Sequence, residues 1–294
     1  MQCTFIALAP LATALLLLAL QAPQSLDLRV GGAWVPWRAF APGAPAAGDP
    51  LLARAIRWDD DRPGLRIGSF EVRPSGGFVS NRVAIVEVDP ERFSFALAAA
   101  PRFAVRSADA WMEDSALVLA VNTGLFRKDG SPEGLVVLDG ARHGALAGWL
   151  DALVAVEDGR VGLRDPGDAR LLGPRASAFQ VVPWLVRRGA VVLGAASGLR
   201  LSRTHRDRRL TLCVGSDGLV RFLLSNFEVF GESAGTIPLG LTLPEQATIA
   251  AAAGCADAVA LDGGISAQLA VRARRLHRMP GWRDVPLYLV ARER

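Results

Sequence analysis

Apolar residues fall in short runs bounded by Gly, Pro and Asp, the spacing of buried strands. Val83 to Val88 is almost continuously apolar, Asp89-Pro90 reads as a turn, and Phe93 to Ala99 is the strand that follows. Ser107 can cap a short helix carrying Trp111 and Met112, and Leu117 to Val121 is a buried strand running into Asn122. Gly134 to Leu138 ends in the tight turn Asp139-Gly140. Further runs at Leu153 to Val156, Ala178 to Leu185, Arg209 to Val214 and Leu219 to Leu224 make the middle of the chain mostly β. Thr242-Leu-Pro-Glu245 is a capping-box pattern that opens a helix over Gln246 to Ala253, and Gly254 can close it. Ala258 to Leu261 is then a short buried strand delivering Asp262 into Gly263-Gly264. These elements predict an α+β fold of α/β type, a mixed β-sheet core with a few flanking helices in a single domain.

Residues 3–20 carry no charge and include a run of four leucines, which reads as an export segment over residues 1–24. An uncleaved anchor, giving membrane attachment through residues 3–20, is the alternative, and either way the remainder lies outside the cytoplasm, periplasmic or extracellular. The Pro, Ala and Gly content between Ala39 and Pro50 has no periodicity, so residues 25–50 read as a linker and the domain as 51–294. A chain starting near Leu51 is then expected to fold. The 294 residues carry 33 basic and 29 acidic side chains, spread without runs, so no nucleic-acid footprint is present. Cys213 and Cys255 are the only cysteines beyond the apolar segment. An oxidising compartment permits a bridge, but their places in or beside buried strands favour two separate thiols.

Asn122 and Asp262 each end an apolar strand and precede Gly-containing sequence, where a sheet presents polar side chains at its rim. Ordinary turns are the competing explanation for both. In the charged cluster His205-Arg206-Asp207-Arg208-Arg209, Arg206 and Arg208 read as solvated, whereas Arg209 at the strand edge can be partly buried and need an anionic partner. Glu245 is explained by the capping box. His143, His205 and His277 have no metal-ligand spacing, so no metal site is expected from them. A Gly-x-Ser-x-Gly elbow, a phosphate loop with Lys and a Cys-x-x-Cys pair are all missing.

Ala120-Val-Asn122-Thr-Gly-Leu-Phe126 with the downstream Gly134-Leu135, Arg209-Leu-Thr-Leu-Cys-Val214 with Asp217-Gly218, and Ala258-Val-Ala-Leu-Asp262-Gly-Gly-Ile-Ser266 behind a Pro-Glu helix together resemble the phosphodiester glycosidase family. The motifs keep their order from about Val83 to Val290, the motif-bearing part 83–290. Thr123 and Leu125 stand where the family has Gly and Phe, and Ile265 where it has a third Gly. The resemblance implies a hydrolase cleaving sugar 1-phosphodiesters, whose bacterial relatives are linked to exopolysaccharide. It implies Asp262, Asn122 and Arg209 as catalytic residues and Gly124, Gly263, Gly264 and Ser266 as substrate contacts. The partner expected is a carbohydrate phosphodiester; no cofactor is called for, and a divalent metal requirement is undecided. The alternative function is a non-catalytic glycan- or phosphoglycan-binding envelope protein on the same fold.

Overall fold

The computed structural model describes residues 25–193, 201–227 and 240–294; the apolar segment at 3–20 lies outside them. A ten-stranded sheet comprises β1 (Ser25–Val30), β2 (Ala33–Ala39), β3 (Arg57–Arg62), β4 (Leu65–Pro74), β5 (Asn81–Val88), β13 (Trp184–Arg187), β14 (Ala190–Val191), β15 (Leu210–Gly215), β16 (Val220–Phe227) and β17 (Cys255–Ala260). A five-stranded sheet holds β8 (Val136–Leu138), β9 (Ala141–His143), β10 (Ala152–Glu157), β11 (Arg160–Arg164) and β12 (Ser177–Val181). A second five-stranded sheet holds β6 (Phe93–Ala99), β7 (Leu117–Asn122), β18 (Leu269–Arg272), β19 (Leu276–Met279) and β20 (Leu287–Glu293). Among the described residues the α-helices are α1 (Pro50–Ala55), α2 (Ala108–Trp111) and α3 (Leu243–Ala252).

Every strand pair in these sheets is antiparallel, which corrects the α+β, α/β-type expectation: the fold is mainly β. Continuous apolar runs suggested strands flanked by helices, as in parallel sheets. Here both faces of the large sheet are covered. Its inner face places Ile67, Val86, Leu212 and Phe222 against Val154 and Phe179 of one small sheet and Phe95, Val121 and Leu289 of the other. On the outer face Phe70, Ile85, Cys213, Leu223 and Ala258 pack under Leu52 of α1 and Ala247, Ala250 and Ala251 of α3. Antiparallel strands buried on both sides therefore lose the polar alternation that normally marks them.

Tight turns suit this architecture. Asp139-Gly140, Asp158-Gly159 and Arg188-Gly189 all have positive φ at both residues and close β8–β9, β10–β11 and β13–β14 as two-residue hairpins. Strands adjacent in sequence also part company. β5 and β6, separated by the Asp89-Pro90 turn, enter different sheets. The single apolar run from Ala178 to Leu185 splits into β12 and β13 in different sheets, parted at Val182-Pro183, where Pro removes a ladder donor.

Residues 25–50 are more than a linker. β1 pairs with β4 and β2, burying Leu26 and Leu28 completely, and Asp49 caps α1 by accepting from the Leu51 and Leu52 amides. The two cysteines are bridged, with Cα atoms 5.5 Å apart, against the expectation of separate thiols. A register shift between Val214 and Gly215 sets Cys255 opposite Gly215, beside Cys213, a juxtaposition that exists only once β15 pairs with β17.

Candidate active site

A cavity of about 240 Å³ opens where strand ends of all three sheets meet. Gly124 and Leu125 follow β7, Val181 to Pro183 join β12 to β13, Ala260 to Gly263 end β17, and His205, Asp207 and Arg209 approach β15. Leu243 and Gln246 contribute from the first turns of α3. Of the residues expected from sequence, Asp262, Arg209, Gly124 and Gly263 line this one cavity, whereas Asn122, Gly264 and Ser266 do not line it.

Asn122 is fully buried and both ends of its amide bond to the protein backbone. Its Nδ2 donates to the Asp262 carbonyl at 2.8 Å and its Oδ1 accepts from the Gln268 amide at 2.8 Å, while the Asp262 amide donates to the Thr123 carbonyl at 2.9 Å. The residue therefore ties the end of β7 to the end of β17 across two sheets. Thr123, in the place of a family glycine, is also buried and donates to the Leu287 carbonyl at 3.0 Å.

Asp262 is partly buried at the cavity wall. Burial among these walls pushes its carboxyl up to about 7, the Ser266 hydrogen bond and the Arg283 charge pull the other way, and the Asp207 charge adds to the rise. The turn after it depends on glycine. At Gly264 φ is +58°, and a Cβ there would sit 2.9 Å from an Asp207 carboxylate oxygen; a Cβ at Gly263 would meet the Arg208 carbonyl at 2.7 Å. Ile265 points outward, 46% exposed, without a positive φ and away from the cavity lining, so its replacement of a family glycine leaves the cavity open.

Arg209 is held by two backbone carbonyls, its Nε donating to Leu241 at 2.8 Å and its Nη2 to His205 at 2.6 Å. Burial lowers its pKa while the charges of Asp207 and Glu245 raise it; no carboxylate among the described residues lies within ion-pair reach of it. The guanidinium stays charged and keeps further N–H groups for a ligand.

Arg206 and Arg208, expected to be solvated, are engaged. Arg206 makes a two-pronged ion pair with the buried Glu245, at 2.8 and 2.9 Å, and Glu245 also closes the α3 capping box. Arg208 is buried and donates to the Pro280 carbonyl at 2.6 Å. The reason is alternation. An extended chain sends residues 205, 207 and 209 to one side and 206 and 208 to the other. This period-two pattern within the charged cluster is the signal that could have found His205 and Asp207. Gln246, whose Nε2 donates to the Leu210 carbonyl and the Thr211 hydroxyl, gave no such signal. Among the described residues no group of three or more His, Cys, Asp and Glu side chains is placed to hold a metal ion.

A model of the family described as phosphodiester glycosidase matches residues 115–291. The chain belongs to the phosphodiester glycosidase family. The matched span contains Asn122, Gly124, Arg209, Asp262 and the turn through Ser266. Among solved structures, this family member is similar to the zebrafish N-acetylglucosamine-1-phosphodiester alpha-N-acetylglucosaminidase catalytic domain auto-inhibited by its pro-peptide, at 17% identity and TM-score 0.61, covering 86% of this chain and 96% of that one. A hypothetical protein from Synechocystis aligns at 15% identity and TM-score 0.61, over 93% of this chain and 75% of that one. A Burkholderia pseudomallei protein whose name proposes export aligns at 14% identity and TM-score 0.52, over 96% and 89%. At such identities the likeness is one of fold. None of the curated proteins matches the chain.

Proposed function

We propose that this phosphodiester glycosidase family member is an exported hydrolase that cleaves a sugar 1-phosphodiester in envelope or extracellular glycans. The convergence of Asp262 and Arg209 on one cavity carries the reading. The bond broken joins the anomeric carbon to a phosphate oxygen, which leaves with the electron pair, so the site must hold the phosphate and stabilise positive charge growing on the sugar. Arg209 suits the first task, as a fixed, permanently charged fork able to bind two phosphate oxygens in parallel. Asp262 suits the second, its carboxylate facing the anomeric carbon. Asn122 and Ser266 act through it, one fixing its backbone and the other its carboxyl.

Export is supported by the uncharged segment 3–20 and by the Cys213–Cys255 bridge, which suits an oxidising compartment. No helix among the described residues is long and apolar enough to cross a membrane. The test is incubation of the purified protein with an activated sugar 1-phosphodiester. Release of free sugar and a phosphate monoester in stoichiometric amounts is expected; saturable binding with no release would leave a phosphoglycan-binding protein instead.

A further inference from the structure

Asp207 belongs to the same cavity, on a segment that the sequence signatures of the family did not single out. Its backbone is clamped to Leu241 by a reciprocal pair of hydrogen bonds, 3.1 and 3.0 Å. One carboxylate oxygen, Oδ1, accepts from the Arg208 amide at 2.8 Å. The other, Oδ2, lies beside Gly264, so that the carboxylate stands over the turn that carries Asp262. That turn is itself tied to the same segment, the Gly264 amide donating to the Arg208 carbonyl at 2.8 Å. Two of the neighbouring arginines are directed elsewhere: Arg206 to Glu245 and Arg208 to Pro280. His205 stands beside the carboxylate, its Nε2 3.6 Å from Oδ2. Both side chains reach solvent, 56% for His205 and 34% for Asp207, and both line the cavity.

We infer that Asp207 is a second catalytic carboxylate, which takes the proton of the water attacking the anomeric carbon and passes it to His205, while Asp262 faces the charge developing on the sugar. The inference rests on the hydrolase reading above. The step balances. The water oxygen bonds to the anomeric carbon, the bond from that carbon to the phosphate oxygen breaks with its electron pair on the oxygen, and the water proton moves to Asp207 Oδ2 and on to the lone pair of an unprotonated His205 Nε2, once the two side chains close their 3.6 Å separation, and from there solvent takes it. Arg209 holds the leaving phosphate. Two carboxylates a turn apart divide the labour because their surroundings differ: Asp262 is enclosed, with Ser266, Arg283 and Asp207 about it, and Asp207 is open to the cavity with a histidine behind it.

The experiment uses the full chain and the sugar 1-phosphodiester, with Asp207→Asn, Asp207→Ala, His205→Gln and Asp262→Ala compared to the unaltered protein. Loss of a positioned base is expected to lower kcat about 100-fold in Asp207→Asn with KM little changed, and about 10-fold in His205→Gln. Removing the Asp207 charge also takes away one cause of the raised Asp262 pKa, so the acidic limb of the pH profile shifts to lower pH in Asp207→Asn, as it would for any negative charge lost at this position. Azide needs no base, so it restores turnover to Asp207→Ala with a sugar azide as product, and leaves Asp262→Ala inactive. Full turnover in a folded Asp207→Asn protein overturns the inference, wherever its acidic limb falls; so does azide rescue of both alanine variants or of neither. If Asp207→Asn fails to fold, the exposed His205→Gln decides, with undiminished kcat against it. An unaltered protein that releases no product overturns the hydrolase reading itself, and this inference with it.

Discussion

Asp262 meets opposed demands of folding and chemistry. Its folded pKa of about 7 lies above the ordinary 3.8, so the fold favours the neutral acid. That contribution to stability is complete below about pH 4 and is lost as pH rises through 7. In the role proposed for Asp262, activity needs the ionised form and should run the other way, falling about tenfold per pH unit below 7. Asp262→Asn should therefore lower kcat by about 100-fold, or ~3 kcal/mol, yet unfold at or above the unaltered protein's midpoint at pH 8. Kinetics and thermal scans on the same preparations at pH 4 and 8 check both halves, and a destabilised variant of full activity would reduce Asp262 to a turn residue. Arg209→Lys keeps the charge but loses the planar fork, so KM for the phosphodiester should rise about tenfold as kcat falls. Asp151 is a half-buried carboxyl outside the cavity, raised by desolvation to about 6, with one oxygen accepting from the Trp184 amide and the other, enclosed, without a partner among the described residues. Its neutral form is favoured too, so its stability contribution is lost as pH rises from 4 through 6. Asp151→Asn is expected to be more stable than the unaltered protein at pH 8 by on the order of 1 kcal/mol, and equal to it near pH 4, in denaturant titrations.

At the scale of elements, the site depends on how strand ends are fastened together. β15 and β17 are joined by hydrogen bonds and by the Cys213–Cys255 bridge, which closes a sequence separation of 42 residues. Constraining a loop of that length is worth about 2–4 kcal/mol in the unfolded chain. Protein purified from an oxidising compartment should show neither Cys213 nor Cys255 as a free thiol under denaturing, non-reducing conditions. Replacing both by Ser should lower stability by that amount with little change in KM, because the bridge faces the outer layer and not the cavity. The α3 helix was legible because a capping box is a local arrangement of four residues, and the structure contains it with Thr242 and Glu245 in both roles. Its second use was not legible. Arg206 reaches Glu245 only because the segment before β15 runs past the start of α3, a contact 39 residues apart in the chain.

On the scale of the whole molecule, three sheets enclose one core while the helices cover outer faces. Removing residues up to Leu51 strips β1 and β2 from β4 and exposes apolar partners of Leu26 and Leu28, so a chain starting at Leu51 should lose about 4 kcal/mol or more relative to one starting at Ser25. On the order of 10 °C in thermal midpoint follows for a chain this size. Equal midpoints would restore the linker reading. The two starts were hard to tell apart because β2 carries Pro and exposed residues at a sheet edge, a composition that also suits a linker. By itself the sequence determined most strand positions, the hairpin turn at Asp139-Gly140, the α3 cap and the candidates Asp262 and Arg209, all of which follow from residue types within a few positions of one another. Tertiary structure decided which strands pair, that every sheet is antiparallel, that the cysteines meet, that Asn122 braces the site and that Asp207 stands over the Asp262 turn. Each of those depends on segments far apart in the chain being packed on both faces of one sheet, and burial on both faces erases the alternation from which pairing could have been read.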